Sequence, residues 1–223
     1  LSAFLESCAL YGAGPVESHA TDIRTTIKFV LPMVFEPVEG EFIAFGVTFT
    51  NSDYGAGRLK LSGTVMRVKT STISVLEDKY SRTHLGSVIQ ESDIEMSEET
   101  ASKETIAACS AVKDTVAAVL SRESIEMALK AIQIAHETEL PWHKLKEQLG
   151  TLLGKQDLEL MKTMIEKGPE IMDLPAAHKK EDGSSILTLW GASNLVGWFA
   201  DKESDTDKKS DLQAVAGRMI KAA

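Results

Sequence analysis

The chain has 223 residues, 43% of them hydrophobic and 26% charged, with a formal net charge of −9. That content is enough to bury one sizeable core or two small ones, and the acidity argues against indiscriminate attachment to nucleic acid or anionic membranes. The apolar runs fall well short of the roughly 20 residues a membrane-crossing helix needs. Two cysteines, Cys8 and Cys109, are too few for a disulfide scaffold, so a reduced cytoplasm is the expected setting.

The sequence starts at Leu1 rather than at a methionine, which suits a fragment or a processed chain. Ser2 to Gly14 carries Glu6 and no basic flank, so it does not read as a signal peptide. From Asp22 the pattern alternates. Ile23, Thr25, Ile27, Phe29, Leu31, Met33 and Phe35 take one side, while Arg24, Thr26 and Lys28 fall on the other, a half-buried strand. Pro32 cannot donate to a ladder and predicts an edge or bulge. Glu36 to Glu41 reads as a turn. A second strand carries Ile43, Phe45, Val47 and Phe49, and Asn51 to Gly57 follows as a loop. The stretch from Arg58 to Leu76 is too long for one strand, and a bulge near Ser62-Gly63-Thr64 is expected.

Helical patterning replaces this near residue 92. Ser97-Glu98-Glu99 makes a capped start, and Ile106, Cys109, Val112, Val116 and Val119 recur at helical spacing. That stripe makes Cys109 a buried structural thiol. Further helices are expected from Ser124, from Pro141 to Gly154, over Leu158–Ile165 up to Gly168-Pro169, from Ile186 to Ala200 and from Asp211 to Lys221. Ala176 to Ser185 and the charge run Asp201 to Lys209 read as solvated connectors.

The motifs of common chemistry fail on spacing. His136-Glu137 begins like a zinc-protease motif, but the second histidine is due one turn later, where Leu140 stands. Gly12-Ala13-Gly14 and Gly55-Ala56-Gly57 lack the remaining residues of a dinucleotide or phosphate loop and read as tight turns. No Gly-x-Ser-x-Gly elbow occurs. No metal, no cofactor and no catalytic residue is therefore expected.

Charge placement is more suggestive. Residues 1–90 hold eight Lys/Arg against nine Asp/Glu, and residues 91–223 sixteen against twenty-four. Between Asp53 and Glu77 there is no acid, while Arg58, Lys60, Arg67 and Lys69 fall inside. On extended strands Arg58 and Lys60 point one way, as do Arg67 and Lys69, and Arg24 and Lys28 share the polar side of the first strand. In a meander these cations can line one groove and neutralise phosphates. The alternative is the solvated outer face of a two-layer sheet.

Three segments in order carry a resemblance. They are Phe49-Thr50-Asn51-Ser52-Asp53-Tyr54-Gly55-Ala56-Gly57 leading into the basic strand, Arg82-Thr83-His84-Leu85-Gly86, and Thr188-Leu189-Trp190-Gly191-Ala192-Ser193-Asn194-Leu195-Val196. Together they resemble the phage- and plasmid-borne domain-of-unknown-function family nine-three-two, from about residue 42 onward. Where members often carry a Cys-Thr-Asn type segment, this chain has Lys69-Thr70-Ser71-Thr72, and no role tied to it is carried over. In element order, a β-meander followed by a long helix also resembles single-strand annealing proteins of the Rad-fifty-two and Red-beta kind, which form rings or helices and hold DNA along a basic groove.

The resulting expectation is an α+β protein, an N-terminal antiparallel β-meander (residues 1–92) followed by a helical half (93–223) packed on it as one continuous domain. Its expected role is phage-type single-stranded DNA binding or annealing in a bacterial cytoplasm, as a non-enzymatic homo-oligomer with no membrane partner. Arg24, Lys28, Arg58, Lys60, Arg67, Lys69 and Arg82 are the expected phosphate contacts, with Tyr54, Tyr80 or His84 stacking on bases. The alternative is a non-catalytic phage structural, assembly or host-interaction protein that docks through its acidic helices.

Overall fold

A computed structural model describes residues 1–22, 24–52, 58–83, 97–167, 178–179 and 185–222. Five strands form an antiparallel sheet whose spatial order follows the sequence: β1 (Gly14–Ala20), β2 (Arg24–Val38), β3 (Glu41–Ser52), β4 (Arg58–Arg67) and β5 (Ile73–Thr83). A helix, α1 (Ser2–Leu10), precedes them. After them come α2 (Glu98–Val119), α3 (Arg122–Glu137), α4 (Trp142–Leu149) and α5 (Lys155–Lys167). A two-residue pair, β6 (His178–Lys179) and β7 (Ser185–Ile186), leads to α6 (Leu189–Lys202) and α7 (Thr206–Lys221). The α+β class, sheet first and helices after, is the expected one.

The central strand β3 is buried on both sides, with Ile43, Phe45, Val47 and Phe49 alternating with Ala44, Gly46 and Thr48. Gly46 has no room for a side chain, since a Cβ there would lie 1.9 Å from the Phe29 carbonyl oxygen. Ser62-Gly63-Thr64 run buried inside β4. The chain reverses after Arg67, where the Arg67 N–H donates to the Thr72 carbonyl at 2.9 Å and Ser71 takes φ 56°. A non-glycine residue in the left-handed region carries no sequence signal for a turn. Past Pro32 the inward alternation of β2 fails, with Met33 and Val34 both exposed.

Caps explain the helix starts. The Ser97 hydroxyl accepts from Thr100 N–H at 3.3 Å, with Glu98 and Glu99 in the first turn. Only the second half of the expected α2 stripe is buried: Val112, Val116 and Val119 are covered, whereas Ile106 and Cys109 are exposed. Pro141 precedes α4 as expected. α7 begins before the expected Asp211, because Asp205 caps it by accepting from Asp207 and Lys208 N–H at 2.9 and 3.2 Å.

Two compact units emerge, and both take segments of the sheet. The first comprises residues 1–33, 45–64 and 78–125, and the second 34–44, 65–77 and 126–223. The first unit buries Phe4, Phe29, Phe49, Leu61 and Val116; the second buries Ile43, Leu145, Met161, Trp190 and Leu212. In the second unit α7 meets β5 closely, since a Cβ on Gly217 would fall 1.9 Å from the Val75 carbonyl oxygen.

Candidate nucleic-acid interface

Successive strand residues point to opposite sides, so contacts between neighbouring strands fix which side chains share a face. In the first unit three such contacts form a row. Thr26 and Thr50 hydroxyls are 3.4 Å apart, Thr48 and Thr64 hydroxyls 2.6 Å apart, and the Ser62 hydroxyl donates to Asp78 Oδ1 at 2.6 Å. The row crosses from β2 to β5. By alternation Arg24, Lys28, Arg58, Lys60 and Tyr80 belong to the same face, whereas the Arg82 guanidinium turns to Glu104 of α2, a helix whose Cys109 and Val112 line the opposite side. β1 adds Glu17 opposite Lys28 and His19 opposite Thr26.

Burial then separates the expected cations. Lys28 is 3% exposed, with its ammonium 3.0 Å from Glu17 Oε1. It is withdrawn from solvent and is not available to a phosphate without breaking a covered pair. Lys60 and Asp78 form a half-exposed pair at 2.9 Å, and Arg82 reaches Glu104 of α2 at 3.5 Å, again part-exposed. Arg58 is exposed at the start of β4, and Arg24 is half-buried at the start of β2.

Arg67 does not join this face. It belongs to the second unit, is 2% exposed, and grips Glu41 with two bonds, Nε to Oε2 at 2.8 Å and Nη2 to Oε1 at 2.7 Å. The Trp190 indole N–H donates to the same carboxylate at 3.3 Å. Arg67 is a core residue and not a phosphate contact. Its odd separation from Lys60 already assigns it to the other side of β4. Lys69 is exposed in the turn after Arg67, also in the second unit. Tyr54 and His84 lie outside the described residues. Alternation and burial thus leave Arg24, Arg58 and Lys60 on this face, and leave out Lys28, Arg67, Lys69 and Arg82.

On the other side of the first unit's strands a groove of about 460 Å³ is lined by residues including Leu1, Phe49, Leu59, Cys109 and Val112. Cys109 is exposed there, against the expectation of a buried thiol, because the α2 stripe is covered only from Val112 onward. Cys8 is the buried cysteine, and burial pushes its thiol up to about 12. The thiolate is the reactive form, so an aromatic disulfide reagent at pH 8 is expected to modify Cys109 rapidly and Cys8 only on unfolding. Mass spectrometry of the labelled peptides checks this, and equal labelling of both would show that α1 is not packed as described.

Among the described residues, no three His, Cys, Asp or Glu side chains are placed to hold a metal ion, and no helix is long and apolar enough to cross a membrane. Comparison with family models, with curated proteins and with solved structures returns no match. The resemblance to family nine-three-two therefore rests on the quoted segments alone. The last of them has structural work in this chain. Thr188 caps α6 by accepting from Gly191 N–H, Trp190 reaches Glu41, Ser193 meets the Ser74 hydroxyl at 3.1 Å, and Asn194 donates to the Trp190 carbonyl.

Proposed function

We propose that the chain is a phage-type single-stranded DNA binding or annealing protein of the bacterial cytoplasm, acting as a homo-oligomer in recombination or replication without bond-breaking chemistry. The observation that supports this reading is that Arg24, Arg58 and Lys60 share the alternation of the row Thr26–Thr50, Thr48–Thr64, Ser62–Asp78; the middle of the row is buried, and Arg58 and Lys60 are the accessible cations beside it. Exposed ion pairs are worth little, so Lys60 can exchange a carboxylate for a phosphate. Tyr80 on the same face offers a ring for stacking, and Tyr54 and His84 belong to the same proposal. The first unit holds nine Lys/Arg against thirteen Asp/Glu. Attraction is then local to this face, and binding is steeply salt-dependent.

Fluorescence anisotropy of a labelled single strand at low salt tests the reading. The double variant Arg58→Glu/Lys60→Glu is expected to weaken binding by about tenfold or more and to flatten the salt slope by roughly 0.7 for each phosphate no longer neutralised. A wild-type chain that leaves the oligonucleotide unbound overturns it.

The second reading, a non-catalytic phage structural, assembly or host-interaction protein, is favoured by the exposed apolar side chains of the first unit: Leu1, Leu10 and Ile106 are 59%, 85% and 63% exposed. Light scattering with and without the oligonucleotide separates the two. A defined oligomer indifferent to DNA supports the second.

A further inference from the structure

We infer that Asp78 is a built-in competitor for a phosphate position of this face, holding its affinity for a single strand below what its cations alone would give. The inference rests on the DNA-binding reading above.

The carboxylates paired with Lys28, Arg67, Lys60 and Arg82 are of two kinds. Glu17 with Lys28 and Glu41 with Arg67 join a cation side chain only 4% or 2% exposed, so these pairs belong to the packing. Asp78 with Lys60 and Glu104 with Arg82 do not: exposures are 37% and 43% in the first and 37% and 32% in the second. Solvent, and any polyanion, reaches both partners. Asp78 is moreover held in place. Its Oδ1 accepts from the buried Ser62 hydroxyl at 2.6 Å while Oδ2 faces the Lys60 ammonium at 2.9 Å. The fold presents this carboxylate over its cation rather than leaving it to find one.

A carboxylate oxygen and a phosphate oxygen make the same charge-assisted contacts with an ammonium or a guanidinium. A strand binding at Lys60 must therefore replace the Asp78 carboxylate, and afterwards lies beside an anion that still repels it. Both effects lower affinity without altering the cations. They set how readily the strand is released, which a protein that pairs strands and then lets go can use.

Asp78→Asn keeps an acceptor for Ser62 and removes the charge. Glu104→Gln removes the charge beside Arg82, away from this face. Asp114→Asn changes net charge equally at an exposed position of α2, and the two serve as controls. By oligonucleotide anisotropy at fixed salt, Asp78→Asn is expected to bind about fivefold tighter than wild type, and Glu104→Gln and Asp114→Asn to change little. Wild-type binding with Asp78→Asn no tighter than the controls overturns the inference and leaves the DNA-binding reading standing. A wild type that does not bind removes that reading itself.

Discussion

Arg67→Ala is expected to destabilise the protein by about 3–5 kcal/mol, the usual consequence of removing one partner from a buried ion pair. Arg67 and Glu41 side chains are 2% and 8% exposed and joined by two bonds at 2.7 and 2.8 Å. Truncation leaves the Glu41 carboxylate covered, with the Trp190 indole N–H at 3.3 Å as the neighbouring donor the fold supplies. It also leaves a cavity where the guanidinium lay. Arg67→Met is expected to fail nearly as badly, because the uncompensated charge is the larger cost. The pair Arg67→Met/Glu41→Leu is expected to recover most of the loss, since apolar side chains of similar volume avoid desolvating either charge. Urea unfolding followed by tryptophan fluorescence measures this, with Trp190 reporting directly on the site. A loss below about 1 kcal/mol for Arg67→Ala would mean that water reaches Glu41 and that the pair behaves like a surface one. DNA affinity per folded molecule is expected to stay unchanged in all three variants, because Arg67 does not share the face of Arg58 and Lys60.

The sequence was informative wherever burial follows hydrophobicity. Ile43, Phe45, Val47 and Phe49 alternate as core residues do, and all four are buried. The helix starts at Ser97 and Pro141 were equally legible, because a hydroxyl cap and a proline act on their own neighbours. What failed depends on distant residues. Nothing in the sequence near Lys28 or Arg67 shows that carboxylates 11 and 26 positions away will cover them. Parity was available, and it separates Arg67 from Lys60; partners were not. The reversal after Arg67 uses Ser71 at φ 56°, a non-glycine residue that signals no turn in the sequence. The first helix went unread because its pattern is inverted: Ala3, Phe4, Ser7 and Cys8 face inward while Leu1, Leu5 and Leu10 are exposed.

That inversion makes Phe4 the main anchor of α1, and Phe4→Ala is expected to cost about 3–5 kcal/mol. Phe4 is fully buried, edge-on to Phe29 at 5.5 Å and tilted against Phe49 at 5.0 Å between ring centroids. The helix has little local stabilisation of its own. It spans nine residues, has no side-chain cap at its start and no acid in its first turn, and helices this short do not persist alone in water. The Lys113–Glu6 pair at 3.2 Å is exposed and contributes about 0–1 kcal/mol. Removing the ring should therefore free α1 as a unit, not only loosen one neighbour. Cys8 then gives a second readout: its thiol, protected in the wild type, is expected to become reactive at pH 8 in native buffer. Leu10→Ala is the matched control, because Leu10 is 85% exposed and its truncation should change stability by less than about 0.5 kcal/mol. If Phe4→Ala leaves Cys8 protected and moves the urea midpoint no more than Leu10→Ala does, α1 is held by something other than this aromatic contact.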